Sequence, residues 1–378
     1  MRYIISLISL ISILPLHATL ENVTCKKCHP IIYSEYENSM HSKSSIFSDP
    51  VHKAVWNKHP YKLKGKYKCA KCHTPSDHKL MEGKTHLTKN QIQLTEPISC
   101  QTCHTIKSIK KHARMNSNIF TKEKKYFFSA DNKKKGEKIE FKSESSLFGL
   151  IKRTTGSPYH KIDYSNENFY NGDMCLGCHD HKKNGKGLLV CDMQIKKDPK
   201  SKDTCISCHM PKIKGSFVNL KDTHTHAFHG ISIHNSDLKL LSEYIKLSLN
   251  QTDSGFEVDI KNLANHTLFP QPLRVNQLRV TIERAGKVIS LKRKNFVRII
   301  GKKGKPAMPW IADRVLKDTL IKAHEIRKIK YDTKLQKGDS VVVEFGYYLV
   351  NPKALKKLNI KDKSLGEFTV LTEKRFSL

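Results

Sequence analysis

The 378-residue chain carries 68 Lys and Arg against 35 Asp and Glu, a formal charge of +33, with 11 cysteines and 20 histidines. A basic chain raises nucleic acid as a partner. The lysines are spread along the whole length, however, and Met1 to Ala18 has one basic residue, an apolar run and a small last residue, the pattern of a secretory signal cleaved after Ala18. Export removes nucleic acid as a target, and no later segment approaches the length of a membrane span.

Taken in order, the chain first presents Cys25-Lys26-Lys27-Cys28-His29, and then Ile31, Ile32, Tyr36 and Met40 at near-helical spacing. That spacing predicts a helix carrying His41 and broken at Asp49-Pro50. His52, Trp56 and His59 precede a second unit, Cys69-Cys72-His73, and His78 and His86 lie in the polar connection to a third, Cys100-Cys103-His104. His112 is expected on an extension of the His104 helix. Lys122 to Ser146 reads as a charged surface excursion with only Tyr126, Phe127 and Phe128 to bury, and His160 follows in SPYH. A fourth unit, Cys175-Cys178-His179, and a fifth, Cys205-Cys208-His209, complete the series.

Five Cys-x-x-Cys-His units use ten of the eleven cysteines, where composition alone predicts about 0.015 copies. Zinc ribbons or disulfides would use the cysteine pairs without requiring a histidine after every one. Two thiols three residues apart on one helical turn can add across the vinyl groups of a haem, and the next residue then points its imidazole at the iron. The expectation is five covalently bound c-type haems, tethered by Cys25, Cys28, Cys69, Cys72, Cys100, Cys103, Cys175, Cys178, Cys205 and Cys208. The proximal ligands are His29, His73, His104, His179 and His209. Covalent attachment outside the cytoplasmic membrane agrees with the signal sequence, so a periplasmic location is expected.

From about Ser236 no cysteine recurs and apolar residues begin to alternate. Tyr244–Leu249, Phe256–Ile260, Leu278–Ile282, Val288–Leu291 and Val341–Val350 are strand candidates. The fold class expected is therefore a mainly α and irregular multihaem domain over residues 19–235, followed by an antiparallel β-sandwich over residues 236–378. Residues 19–235 offer roughly 43 residues per haem, too little for an ordinary side-chain core. The haems themselves would be the core.

Setting aside His17 of the signal and the five proximal histidines, 14 of the 20 remain for other roles. Imidazole on both faces gives a six-coordinate, low-potential haem suited to passing electrons. His41, His160 and His226 have the best contexts for this distal role, with His112 and His266 weaker. Within HTHAFHG, spacing does not decide between His224, His226 and His229. Cys191, the odd cysteine, is open to three readings: an inert buried thiol, a partner in intermolecular disulfide chemistry, or a sulfur ligand near a haem.

These residues carry a resemblance. CKKCHPIIYSEYENSMHSKS, in which a Tyr and a Ser-x-His follow the first unit, and GSPYHKID, MCLGCHDH, LLVC, CISCHMP and HTHAFHG are similar to blocks of the multihaem c-type cytochromes of nitrogen- and sulfur-cycling bacteria. That group includes hydroxylamine oxidoreductase, pentahaem nitrite reductase and electron-carrying relatives. NLANHTLFPQPLRV, Asn262 to Val275, resembles the start of a β-domain often appended to them, with Asn265 where glycine is usual. The chain lacks the Cys-x-x-Cys-Lys unit of the nitrite reductase and shows neither the additional haems nor the tyrosine cross-link of the oxidoreductase. The resemblance therefore implies an electron carrier in respiration rather than a reductase or oxidase of a small nitrogen or sulfur species at one five-coordinate haem. It also implies a redox partner, either an acidic protein steered by the lysines or a membrane quinol-oxidising cytochrome, with peripheral membrane contact.

Overall fold

The computed structural model describes residues 21–123, 125–146, 151–198, 201–220, 224–231 and 241–378. The signal sequence and the expected boundary at residues 235–236 lie outside them. Among the described residues no helix is long and apolar enough to cross a membrane.

Up to His209 the chain forms short helices and two- or three-stranded ribbons. Four of the five units share one local design, a single helical turn ending on the histidine, while in the first the helix Asn22–Lys26 stops before Cys28 and His29; side-chain caps hold two of the four in place. Ser99 accepts the Thr102 amide at 3.1 Å ahead of Cys100–His104. Thr204 and Ser207 form a reciprocal capping box ahead of Cys205–His209. Such one-turn helices are too short to be stable by themselves, so what they pack against must hold them. Asn22 links two units by accepting the Cys100 amide at 2.9 Å.

Two expected helices end early. The helix Pro30–Asn38 stops before His41, because Ser39 turns to extended backbone and the Ser42 hydroxyl donates to the freed Glu37 and Ser39 carbonyls, each at 2.8 Å. Asp49-Pro50 starts the next helix, Pro50–Asn57, whose first amides the Asp49 carboxylate accepts. The His104 helix also ends at that histidine. The chain continues as the strand Ile106–Lys110, which leaves His112 in an exposed loop where its Nδ1 accepts the Arg114 amide. Tyr126–Phe128, the cluster expected to be buried within the charged stretch, pairs in parallel with Lys161–Asp163, and Phe128 is buried.

The C-terminal part contains a strand at each place expected, with the ends moved by one to four residues: Ile245–Thr252, Gly255–Asn262, Val275–Arg284, Lys287–Ser290 and Ser340–Tyr348. Ile245–Thr252, Gly255–Asn262 and Ile326–Tyr331 form one antiparallel sheet. Val275–Arg284, Ser340–Tyr348 and Phe368–Ser377 run through a second, five-stranded one. Val341, Val343 and Phe345 are fully buried at every second position of their strand, the period that turns alternate side chains to one face. They meet Phe256, Val258 and Ile260 of the first sheet in a single apolar core.

The two parts of the chain are joined closely. Asn184 donates to the Pro309 and Ala312 carbonyls, the Lys196 amide donates to Asn265, and Ala54 packs with Val350, Leu358 and Ile360.

Candidate haem sites

An iron held by two imidazoles needs ring nitrogens about 2.0 Å from the metal on opposite sides, hence ring centres about 6 Å apart. Four of the five attachment histidines have a second histidine near that spacing. His29 faces His160 at 6.1 Å, His41 faces His179 at 5.9 Å, and both His104–His229 and His209–His266 stand at 6.2 Å. Each pair is brought together from distant stretches of chain.

Hydrogen bonds turn several of the rings for such a role. His104 Nδ1 donates to the Phe128 carbonyl at 2.7 Å, His229 Nδ1 to Ala227 at 2.7 Å and His266 Nδ1 to Thr267 at 2.9 Å; His29 Nδ1 donates to Phe217. A donor bond at Nδ1 fixes the tautomer and leaves Nε2 with a free lone pair, the arrangement of a metal-ligating imidazole. Burial pushes His41 down to about 4 and His229 down to about 3, and lowers His104, His179, His160 and His266 as well. The neutral, ligating form is thereby favoured at neutral pH. The donor set thus fits c-type haem: two thiols, a following imidazole and, in four cases, a second imidazole at the spacing that spans a metal.

The linkage has a definite sign. A histidine near 6.5 when unfolded but near 4 when folded leaves the native state binding fewer protons in between. The stability it contributes is full above about 6.5 and is lost as pH falls toward about 4. Iron bound at the same ring nitrogen would compete with the proton, so in the holoprotein we expect low-spin absorption to survive to about pH 4 and to convert to high-spin below it; conversion complete well above that pH would contradict this.

The structure brings His41, His160 and His266 to attachment histidines, but not His112 or His226. His226 is buried with both ring nitrogens engaged, Nδ1 donating to Gly215 at 2.8 Å and Nε2 bonded to Glu35 at 2.8 Å. Neither nitrogen remains for a metal. His229, three residues on, takes the place opposite His104, its amide held by the other Glu35 oxygen. Glu35 was not recognisable as a site residue, because its partners lie 191 and 194 positions away.

His73 differs from the other four. The nearest ring is His52 at 4.2 Å, too close to span a metal, and His52 Nδ1 donates to the Ser44 carbonyl while Nε2 meets the Tyr67 hydroxyl. Ser44 also donates its hydroxyl to the His73 carbonyl at 2.6 Å. His52 is therefore a buttress beside His73 rather than a group facing it.

Cysteines of different units also approach one another. Cys25 lies beside Cys100, Cys72 beside Cys178 and Cys175 beside Cys205, with Cys103 near both Cys175 and Cys178. The fourth unit is therefore next to the second, third and fifth, and the first is next to the third. Two glycines permit this closeness. A Cβ on Gly177 would stand 1.7 Å from Asn118 Oδ1, and Gly172, with φ +76°, would bring one to 3.0 Å from Cys205.

A family model described as cytochrome c554 and c-prime matches residues 24–105, the span of the first three units. The chain is similar in fold to a solved penta-haem cytochrome c552 from Thermochromatium tepidum, with a TM-score of 0.69 and 23% identity over 95% of this chain and 99% of that one. No curated protein matches the chain. Together with the five attachment units, these likenesses support a multihaem c-type cytochrome.

Proposed function

We propose that the chain is a periplasmic pentahaem c-type cytochrome that relays electrons in respiration. The observation that carries this reading is the set of four histidine pairs with ring centres 5.9 to 6.2 Å apart. When bound, haem supplies a one-electron couple. Cys25, Cys28, Cys69, Cys72, Cys100, Cys103, Cys175, Cys178, Cys205 and Cys208 would tether it, and His29 with His160, His179 with His41, His104 with His229 and His209 with His266 would hold the axial positions. Two imidazoles at one iron would leave it no open position for a substrate, which suits electron transfer rather than chemistry at the metal. The fourth unit, beside three others, supports a branched relay.

Kinship with hydroxylamine oxidoreductase and pentahaem nitrite reductase, a haem domain up to residue 235 and a β-sandwich beyond it belong to the same proposal. The signal-like Met1–Ala18 supports the periplasmic location, and the charge of +33 supports an acidic protein, or a quinol-oxidising cytochrome at a membrane surface, as partner.

A second reading, a reductase or oxidase with one open iron, is favoured by His73, which faces no second histidine among the described residues. Reduced protein exposed to carbon monoxide and assayed with nitrite, hydroxylamine, sulfite and tetrathionate separates the two. The relay predicts five covalent haems by intact mass, no carbon monoxide band and donation to an acidic acceptor that slows as salt screens the lysines. Turnover at about 1 per second or faster, together with a carbon monoxide-sensitive band, would overturn it in favour of the enzyme.

A further inference from the structure

Arg298 opens the strand Arg298–Lys302 of the C-terminal part and reaches across to the N-terminal part, where its Nη2 donates at 2.7 Å to the Leu189 carbonyl. The residue is 5% exposed, and its buried Nε has no hydrogen-bond partner among the described residues. Asp318 stands directly opposite in the ladder, but its carboxylate is taken by Lys322 at 2.8 Å and by the Leu320 amide at 3.1 Å. A guanidinium keeps its proton in proteins. Burying that charge is unfavourable unless an anion answers it, and a neutral carbonyl satisfies one donor without doing so.

The surroundings hold the guanidinium in place. Leu189 pairs with Lys183 in a two-stranded ribbon, and at its turn Asn184 donates to the Pro309 and Ala312 carbonyls at 2.6 and 2.7 Å. Asn116 ties the same ribbon to the fourth unit, its amide donating to the His181 carbonyl at 3.2 Å and its Nδ2 to that of Leu176, between Cys175 and Cys178, at 3.3 Å. Arg298 is thus fixed where the C-terminal part meets a ribbon anchored on an attachment unit.

We propose that Arg298 is the centre of a buried oxyanion site at the junction of the two parts, taking a carboxylate or an anion of similar size through its free Nε–H. A planar fork with a charged donor is suited to such a partner. Two sources share this chemistry. A haem carries propionate carboxylates of its own, so the C-terminal part would be fastened to the haem part through the cofactor; this source rests on the haem reading above. A small free oxyanion bound from solvent is the other, and it does not depend on that reading. A propionate beside Arg298 adds little net charge at its haem, whereas without the guanidinium its negative charge favours ferric iron.

The test compares the holoprotein as wild type, Arg298→Gln and Arg298→Lys, with intact mass on each to count the haems independently of the site. In the first arm the haems are titrated with reductant from about pH 8 to about pH 5, the range in which a carboxylate that has lost its counter-ion takes up protons. For a propionate, one haem of Arg298→Gln should fall in potential at the alkaline end and recover toward wild type as acid neutralises the carboxylate, while Arg298→Lys, which keeps the charge, stays near wild type. In the second arm melting is followed as inorganic phosphate or nitrite replaces chloride at constant ionic strength. A rise in wild type that Arg298→Gln lacks, with all potentials unchanged, identifies a free oxyanion. Phenylglyoxal applied to native wild type, read by peptide mass, should leave Arg298 unlabelled. Potentials and melting responses alike in wild type and a folded Arg298→Gln, or labelling of Arg298 in the native protein, would overturn the site.

Discussion

Replacing Cys175 and Cys178 together by alanine is expected to lower the intact mass by one haem and to disconnect the relay. The sulfurs of this unit lie beside those of the second and fifth, and Cys103 of the third is near both of its cysteines. The histidines repeat the pattern, since His179 acts on His73 and is itself acted on by His209. Reduction followed by stopped flow should therefore show the remaining haems splitting into groups that no longer equilibrate on the wild-type timescale. The same double replacement at Cys25 and Cys28, an end of the network, should remove a haem while the other four stay connected. Four haems that equilibrate as fast without the fourth unit as with it would refute the hub. Stability should fall too, by more than the about 3–5 kcal/mol typical of deleting a buried Phe or Trp side chain, because a haem exceeds either in apolar bulk. Thermal melts of both variants measure that loss.

The second large effect is a contrast within four residues. His229→Ala should convert one low-spin haem to high-spin and raise its potential, with haem content unchanged. His226→Ala should leave all spectra as they are and lower stability instead, because it strips a partner from Glu35, which also holds the His229 amide. Low-spin loss in His226→Ala but not in His229→Ala would reverse the assignment.

The attachment chemistry was legible in the sequence because it is local. Two thiols and an imidazole at fixed spacing within five residues suffice to define a tether, and no distant residue is needed to recognise it. The C-terminal strands were legible for a related reason: a period of two in apolar residues, as in Val341, Val343 and Phe345, is set by backbone geometry alone. His41 and His160 could be picked out by their surroundings, but not the attachment histidine that each would face.

The second face of each site is a different matter. His104 meets His229 and His209 meets His266 across separations that no periodicity encodes. The choice between His226 and His229 turns on a glutamate nearly 200 residues earlier, which takes one ring out of contention by bonding it. His52 likewise looks like a candidate until Ser44 and Tyr67 are seen to occupy both its nitrogens. The sequence by itself determined the units, their number and the strand pattern, all properties of short stretches of backbone and side chain. Only the tertiary structure decided which imidazoles stand opposite and which cysteines of separate units adjoin. An imidazole becomes free to ligate or is used up in a hydrogen bond according to what the fold packs against it, and that depends on residues far away in the chain.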